Sequence, residues 1–305
     1  MRTSDTPIHI DHEVELVDPR TAFAVPPFKK QKAIKMPGLN REMNPVPDHG
    51  EDSYQGHNRL RGLNALVTGG DSGIGRAIAI CYAREGANVA INYLSESDDA
   101  NSTIELVSEA GVKGIAIAGD LREESFCEQI IQNTISELGS VDILVNNAAF
   151  QDTAETLEEF STEVFDRVFK TNIYAPFWLS RAALQHIKPG GSIINTVSIQ
   201  GYNPSDMLLP YATSKSALIG MTKALAKFAM ERGVRVNAVA PGPVWTPFIP
   251  STMPSETFQN FGADTLFGRP AQPIELAPLF VWLACPESSY VTAEVFGCTG
   301  GKTPV

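Results

Sequence analysis

Tyr211 and Lys215 stand four residues apart in Tyr211-Ala212-Thr213-Ser214-Lys215, and Ser198 closes an apolar run upstream. On a helix, that spacing puts both side chains on one face. Tyrosine is a poor base in water, with a pKa of about 10. An ammonium about 5 Å away, at an effective dielectric of about 20, attracts its phenolate by roughly 3 kcal/mol and lowers that pKa by about two units. A phenol so tuned exchanges a proton with an alcohol or carbonyl oxygen near neutral pH, and the Ser198 hydroxyl can hold the same oxygen. Alone, Tyr-x-x-x-Lys is more often a pair of exposed helix residues. Its weight comes from what precedes it.

What precedes it is Thr68-Gly69-Gly70-Asp71-Ser72-Gly73-Ile74-Gly75, directly after the apolar run Ala65-Leu66-Val67 and before the helical Arg76-Ala77-Ile78-Ala79-Ile80. Gly69 permits a sharp turn. Gly73 and Gly75 lack the Cβ that would keep a pyrophosphate from the backbone, and the free N–H groups of the following helix meet its charge. The spacing G-x-x-x-G-x-G is weak evidence in isolation. Its place between strand and helix gives it force.

The next strand ends in Ala90-Ile91-Asn92-Tyr93-Leu94-Ser95. A site specific for NAD puts a carboxylate there for the ribose 2′-hydroxyl. Asn92 or Tyr93 occupies that place, so nothing repels a 2′-phosphate, yet no Arg or Lys follows the strand. Asn92, Tyr93 and Ser95 offer only neutral hydrogen bonds. This favours NADP over NAD and leaves dual use open.

Elements that position these groups follow from the pattern. Strand-like runs fall at Asn64–Thr68, Asn88–Asn92, Ile115–Ala118, Ile143–Val145, Ser192–Val197, Arg235–Val239 and Val295–Gly297, with helical stretches between. Such alternation, with strands apolar on both faces, predicts an α/β fold: a doubly wound parallel sheet of about seven strands, with helices on both faces and the ligand at the strands' carboxyl ends. In the helix after Tyr211, Leu218, Met221, Leu225 and Phe228 form a stripe expected to face the core. Residues 1–58 differ: prolines recur and no periodicity persists. They read as an extended arm or a disordered tail, and apolar Phe23, Val25, Phe28, Met36 and Leu39 favour an arm laid on folded protein. Residues 59–305 form the catalytic domain.

From Arg59 onward the chain resembles the short-chain dehydrogenase/reductase family. The resemblance rests on the glycine-rich turn, Asp120-Leu121, Asn146-Asn147-Ala148-Ala149, Asn172, Ser198, Tyr211-x-x-x-Lys215 and Pro241-Gly242-Pro243-Val244-Trp245-Thr246, in that order. It implies a Rossmann-type NAD(P)-dependent oxidoreductase interconverting an alcohol and a carbonyl. Tyr211 would be the general acid/base, with Lys215 tuning it and holding the nicotinamide ribose. Ser198 would orient the substrate, and Asn172 would anchor a water in a proton relay. Asp71, Ser72, Ile74, Asp120, Leu121, Asn147, Ala148, Pro241, Gly242, Val244 and Thr246 would join the three glycines at the cofactor. A homotetramer is implied as well. Ala149 stands where the family usually has glycine. The arm resembles that of bacterial proteins described as general stress or aldehyde reductase-like.

Composition narrows the rest. A net charge of −11 argues against nucleic acid, and Lys29, Lys30, Lys32 and Lys35 read as a solvated stretch. Four scattered cysteines form no CxxC pair, and Cys81 and Cys127 sit in helical patterns, as buried free thiols would. His9 and His12 lack a third ligand, so no metal is expected. Without a signal peptide or an apolar run of ~18 residues, a soluble cytoplasmic protein is expected. Pro243 to Pro270 carries Trp245, Phe248, Met253, Phe258, Phe261, Leu266 and Phe267. It suits a mobile lid or a packed helical excursion, over small or medium apolar carbonyls. The alternative to an enzyme is a cofactor-binding regulator or scaffold that does not turn over.

Overall fold

Short runs of β-branched and aliphatic residues, each followed by an amphipathic stretch, set the architecture. The computed structural model describes residues 16–302; His9 and His12 lie outside them. In chain order the elements are β1 (Asn64–Thr68), α1 (Gly73–Arg84), β2 (Asn88–Tyr93), α2 (Ser97–Glu109) and β3 (Gly114–Ala118). Then come α3 (Glu124–Leu138), β4 (Ile143–Asn146), α4 (Thr162–Phe169), α5 (Ala175–Ala183) and β5 (Ser192–Thr196). Last are α6 (Leu209–Met230), β6 (Arg235–Pro241), α7 (Phe248–Thr252), α8 (Ala277–Ala284) and β7 (Val295–Cys298).

The seven strands form one parallel sheet in the order β3-β2-β1-β4-β5-β6-β7. Winding reverses between β1 and β4, which opens a crevice at their carboxyl ends. Alternate residues supply the two faces. Val67, Ile91 and Val145 pack under α1 and α8. Leu66, Ala90 and Leu144 pack under α3, α5 and α6. Burial on both sides is why each strand reads as a continuous apolar run. Cys81 and Cys127 are buried free thiols, as expected, and Cys285 joins them.

Helix α6 corrects the expected stripe. Its buried residues include Tyr211, Lys215, Leu218, Thr222, Ala226 and Ala229, whereas Phe228 is 69% exposed. Small residues take the buried face of the C-terminal half and let the helix approach the sheet. Leu225 and Phe228 are left on its flank. The core stripe therefore begins with Tyr211 and Lys215 themselves.

The described part of the arm has little regular structure but is anchored. Phe28 and Met43 are buried against Trp245, with Phe28 and Trp245 ring centroids 4.3 Å apart. Trp245 Nε1 donates to the Pro45 carbonyl at 2.8 Å. Nearer the domain, the Glu85 carboxylate accepts from Tyr54 Oη at 2.5 Å and from the His57 and Arg59 amides. Val25, expected to help, is 52% exposed. The lysines at 29, 30, 32 and 35 are exposed.

Candidate active site

The glycine-rich turn is shaped by close approach. An added Cβ on Gly75 would stand 1.9 Å from the Gly69 carbonyl oxygen, so this glycine lets α1 start against the end of β1 and does not line the cleft. Gly73 has φ +51°, and its Cβ would stand 3.0 Å from Thr246 Cγ2, closing the gap between this loop and the segment after β6. Ser72 precedes the helix without capping it through its side chain, so the first-turn N–H groups have no side-chain partner there. Thr68 Oγ1 accepts from the Asn147 and Ala148 amides at 2.9 and 3.0 Å. Asn147 Nδ2 donates back to the Thr68 and Gly69 carbonyls. The ends of β1 and β4 are thus stapled on either side of the crevice.

From this turn a cleft of about 420 Å3 runs across the sheet ends to Ser198, Tyr211 and Lys215. Asp71, Ser72, Ile74, Asn92, Tyr93, Asp120, Leu121, Pro241, Gly242, Val244 and Thr246 line it, as the sequence predicts. Ser95 does not. Its amide and hydroxyl are both bonded to the Glu96 carboxylate, at 2.9 Å each, and it is Glu96 that lines the cleft. Asn92 Nδ2 is committed to the carbonyls of Tyr93, Ile117 and Gly119. The Asp71 carboxyl is pushed up to about 7, first by burial and then by the Glu96 charge.

Three cationic residues line the cleft beyond those expected from the sequence: Arg122, Arg167 and Lys302. Arg122 pairs with Asp120 and holds that carboxyl below its usual range. The Arg167 guanidinium carbon lies 3.8 Å from the centroid of the Phe150 ring. Arg122 and Arg167 both line the cleft. The arginine two places after Asp120 was the available signal.

At the other end, the buried face at the start of α6 carries Tyr211 to Phe248, with ring centroids 6.2 Å apart. Lys215 Nζ lies 5.4 Å from the Tyr211 ring centroid and donates to the Thr196 carbonyl at 2.7 Å. Ser198 Oγ accepts from the Gln200 amide at 3.1 Å, which fixes the hydroxyl where β5 ends. The expected lowering of the tyrosine pKa is not found. Burial pushes Tyr211 up to about 12, with the Ser198 hydroxyl acting the other way, and burial draws Lys215 down to about 7. Both groups are driven toward their neutral forms because the attraction expected in a half-wet site is outweighed by loss of water.

Asn172 is fully buried in a π-helical turn, Lys170–Tyr174. Its side chain accepts from the Phe150 amide at 2.8 Å and donates to the Phe150 carbonyl and to Ser214 Oγ. It braces the loop after β4 against α6 and does not line the cleft. Pro176 has no N–H, so the Asn172 carbonyl lacks its i+4 donor.

A glycine cradle, an acidic residue ending β3 and a Ser–Tyr–Lys group now share one cleft. A family profile described as enoyl-(acyl carrier protein) reductase matches residues 69–303. The chain belongs to the short-chain dehydrogenase/reductase family. Among its relatives, General stress protein 39 of Bacillus subtilis is 46% identical over 272 residues, covering 89% of this chain and 95% of that one. NADPH-dependent aldehyde reductase 1 of Arabidopsis thaliana is 43% identical over 280 residues, 90% of this chain and 97% of the relative. A short-chain dehydrogenase from Burkholderia cenocepacia, solved in complex with NADP, superposes with a TM-score of 0.75 at 31% identity. It covers 80% of this chain and 99% of its own, so about an arm's length of this dehydrogenase/reductase has no counterpart there. The relative from Arabidopsis must share part of the arm.

The residues present fit a dinucleotide. The loop at Gly73 would be filled by any side chain, and the cleft continues unbroken from it to Tyr211. Among the described residues no metal-binding cluster occurs, and no helix is long and apolar enough to cross a membrane.

Proposed function

We propose that the protein is an NADP-dependent carbonyl reductase or alcohol dehydrogenase acting on small or medium apolar carbonyls, with NAD as a second cofactor. The observation that carries this reading is that one continuous cleft joins the glycine cradle to Tyr211, Ser198 and Lys215. The relatives' names support the redox chemistry and not the apolar substrate class: one is named an NADPH-dependent aldehyde reductase, another a glucose and ribitol dehydrogenase.

A bound nicotinamide supplies or accepts hydride; the protein handles the proton. Ser198 hydrogen-bonds the substrate oxygen. Tyr211 Oη gives that oxygen its proton during reduction and takes it during oxidation. Lys215, held by the Thr196 carbonyl, places positive charge beside Tyr211 when protonated. Asn172 positions the loop carrying Phe150 and, as the family resemblance implies, anchors a relay water. Gly69, Asp71, Ser72, Gly73 and Ile74 receive the pyrophosphate side, and Asp120, Leu121 and Ala148 the adenine side. Pro241, Gly242, Val244 and Thr246 receive the nicotinamide end. Phe248, Ile249 and Met253 give the substrate end an apolar wall.

On this reading residues 1–58 are an arm and 59–305 the catalytic domain of a cytoplasmic homotetramer. Exposed Phe177 and Phe228, facing one shallow depression on α5 and α6, support assembly through that face. The test is oxidation of NADPH by purified protein with a panel of aldehydes, diketones and quinones. Stoichiometric formation of an alcohol supports the reading. Cofactor binding with no turnover on any of them would favour a regulator.

A further inference from the structure

Three arm residues line the cofactor cleft, and two more tie the arm to α2 beside it. Met36, Pro37 and Gly38 line the cleft directly. Met36 Sδ stands 3.9 Å from Arg167 Nη2, a weak contact that reaches across to α4. Gly38 is buried against the segment after β6, where an added Cβ would lie 2.8 Å from the Pro247 carbonyl oxygen. Asn40 is the third anchor. Its amide and Nδ2 donate to Asp99 Oδ2 on α2, at 2.8 and 3.0 Å, and Nδ2 also reaches the Asp71 carbonyl in the glycine-rich loop at 3.4 Å. Arg41 pairs with Asp98 one residue along α2, at 2.8 Å.

The strap is tied down on its other side too. The Ile34 amide donates to the Pro250 carbonyl at 3.0 Å, and the Phe28 amide to the Gln259 carbonyl at 2.8 Å. The chain therefore passes from the segment after β6 to the phosphate loop, with Met36 projecting to the opposite wall. A loose tail would make none of these contacts.

We propose that Met36–Asn40 is part of the dinucleotide site, a strap that must lift before cofactor enters or leaves. This rests on the reading of the cleft as an NAD(P) site. The strap acts on exchange: closed, it retains the dinucleotide between Arg167, Pro247 and the glycine-rich loop; lifted, it opens the cleft. Met36 and Asn40 are positioning and retaining residues, and neither touches the group that transfers a proton.

The experiment is stopped-flow fluorescence of NADPH release from the full-length protein, chased with excess NADP, comparing the unaltered chain with Met36→Ala and Asn40→Ala. Melting temperatures without cofactor are measured alongside. Either substitution should speed release by ~5-fold or more, the effect of losing one hydrogen bond or contact from a closed state. Cofactor-free melting temperature should change little for Met36→Ala, whose side chain is only partly buried. Val25→Ala, on an exposed part of the arm, should release NADPH as the unaltered protein does. If Asn40→Ala does not fold, Met36→Ala alone decides. Release within twofold of the unaltered protein overturns the strap. Absence of NADPH and NADH binding by the unaltered protein overturns the cofactor reading, and the strap with it.

Discussion

Lys215 Nζ is spent on the Thr196 carbonyl at 2.7 Å, while the Tyr211 ring that it should activate lies 5.4 Å away. The pair is arranged for chemistry but is not charged for it. Burial pushes Tyr211 up to about 12 and draws Lys215 down to about 7, so it favours the neutral form of each. Positive charge arriving with an oxidised nicotinamide would favour the phenolate. The protein alone does not.

This arrangement links stability to pH. Lys215 titrates near 7 in the folded protein and near 10.5 when unfolded. Between those values the unfolded chain binds more protons, so raising the pH through that window favours the native state. Unaltered protein should therefore gain on Lys215→Met between pH 6 and pH 10, by an amount on the order of 4 kcal/mol. Denaturant unfolding of both proteins across that range checks this. Parallel stability curves would show that Lys215 is not a buried, neutralised amine. The same substitution should impair both turnover and cofactor affinity.

Cofactor choice turns on the acidic residues by the phosphate loop. NADP(H) is expected to bind more tightly than NAD(H), because no carboxylate occupies Asn92 or Tyr93. Asp71, with a folded pKa near 7, gains its proton as the pH falls from 8 to 6 and then ceases to repel a phosphate. NADPH affinity should rise by about threefold or more over that interval, and Asp71→Asn should flatten the rise. The measurement is a set of dissociation constants for NADPH and NADH at fixed ionic strength. A clear preference for NADH would instead place the Glu96 carboxylate on the ribose.

Removal of residues 1–55 should cost stability. It uncovers Trp245, takes away Phe28 and Met43, and strips the Tyr54 hydroxyl from the buried Glu85. Exposing several apolar side chains at ~25 cal/mol per Å2 amounts to a few kcal/mol, and the melting temperature should fall by at least about 5 °C. Thermal unfolding and mass in solution check the claim. An unchanged melting temperature and mass would mean that the arm contributes nothing to the fold. Truncation would also open the cleft, because Met36, Pro37 and Gly38 are part of its wall.

Much of this was legible because parallel strands buried on both faces leave long apolar runs. Each of the seven strands lies within two residues of its expected bounds. The glycine turn and the Tyr211–Lys215 pair were legible for another reason, since backbone approach and helix geometry fix residue type and spacing locally. What could not be read depends on distant partners. Phe228 follows the helical period as well as Leu218 does, yet only the tertiary fold shows that Thr222, Ala226 and Ala229 face the sheet. Ser95 offers a free hydroxyl until Glu96 turns back onto it. The arm carries no periodicity, so nothing local shows that Asn40 meets Asp99, 59 residues away. The direction of the Tyr211 shift depended on how dry the site is, which spacing does not reveal.

The central claim is that Tyr211 moves the proton in a hydride-transfer reaction. It is tested most directly by NADPH-dependent reduction of one accepted aldehyde by the unaltered protein and by Tyr211→Phe, with NADPH affinity measured on both. The account predicts a loss of ~100-fold or more in kcat with affinity nearly unchanged, because only the proton donor has gone. Near-normal turnover in Tyr211→Phe would contradict it.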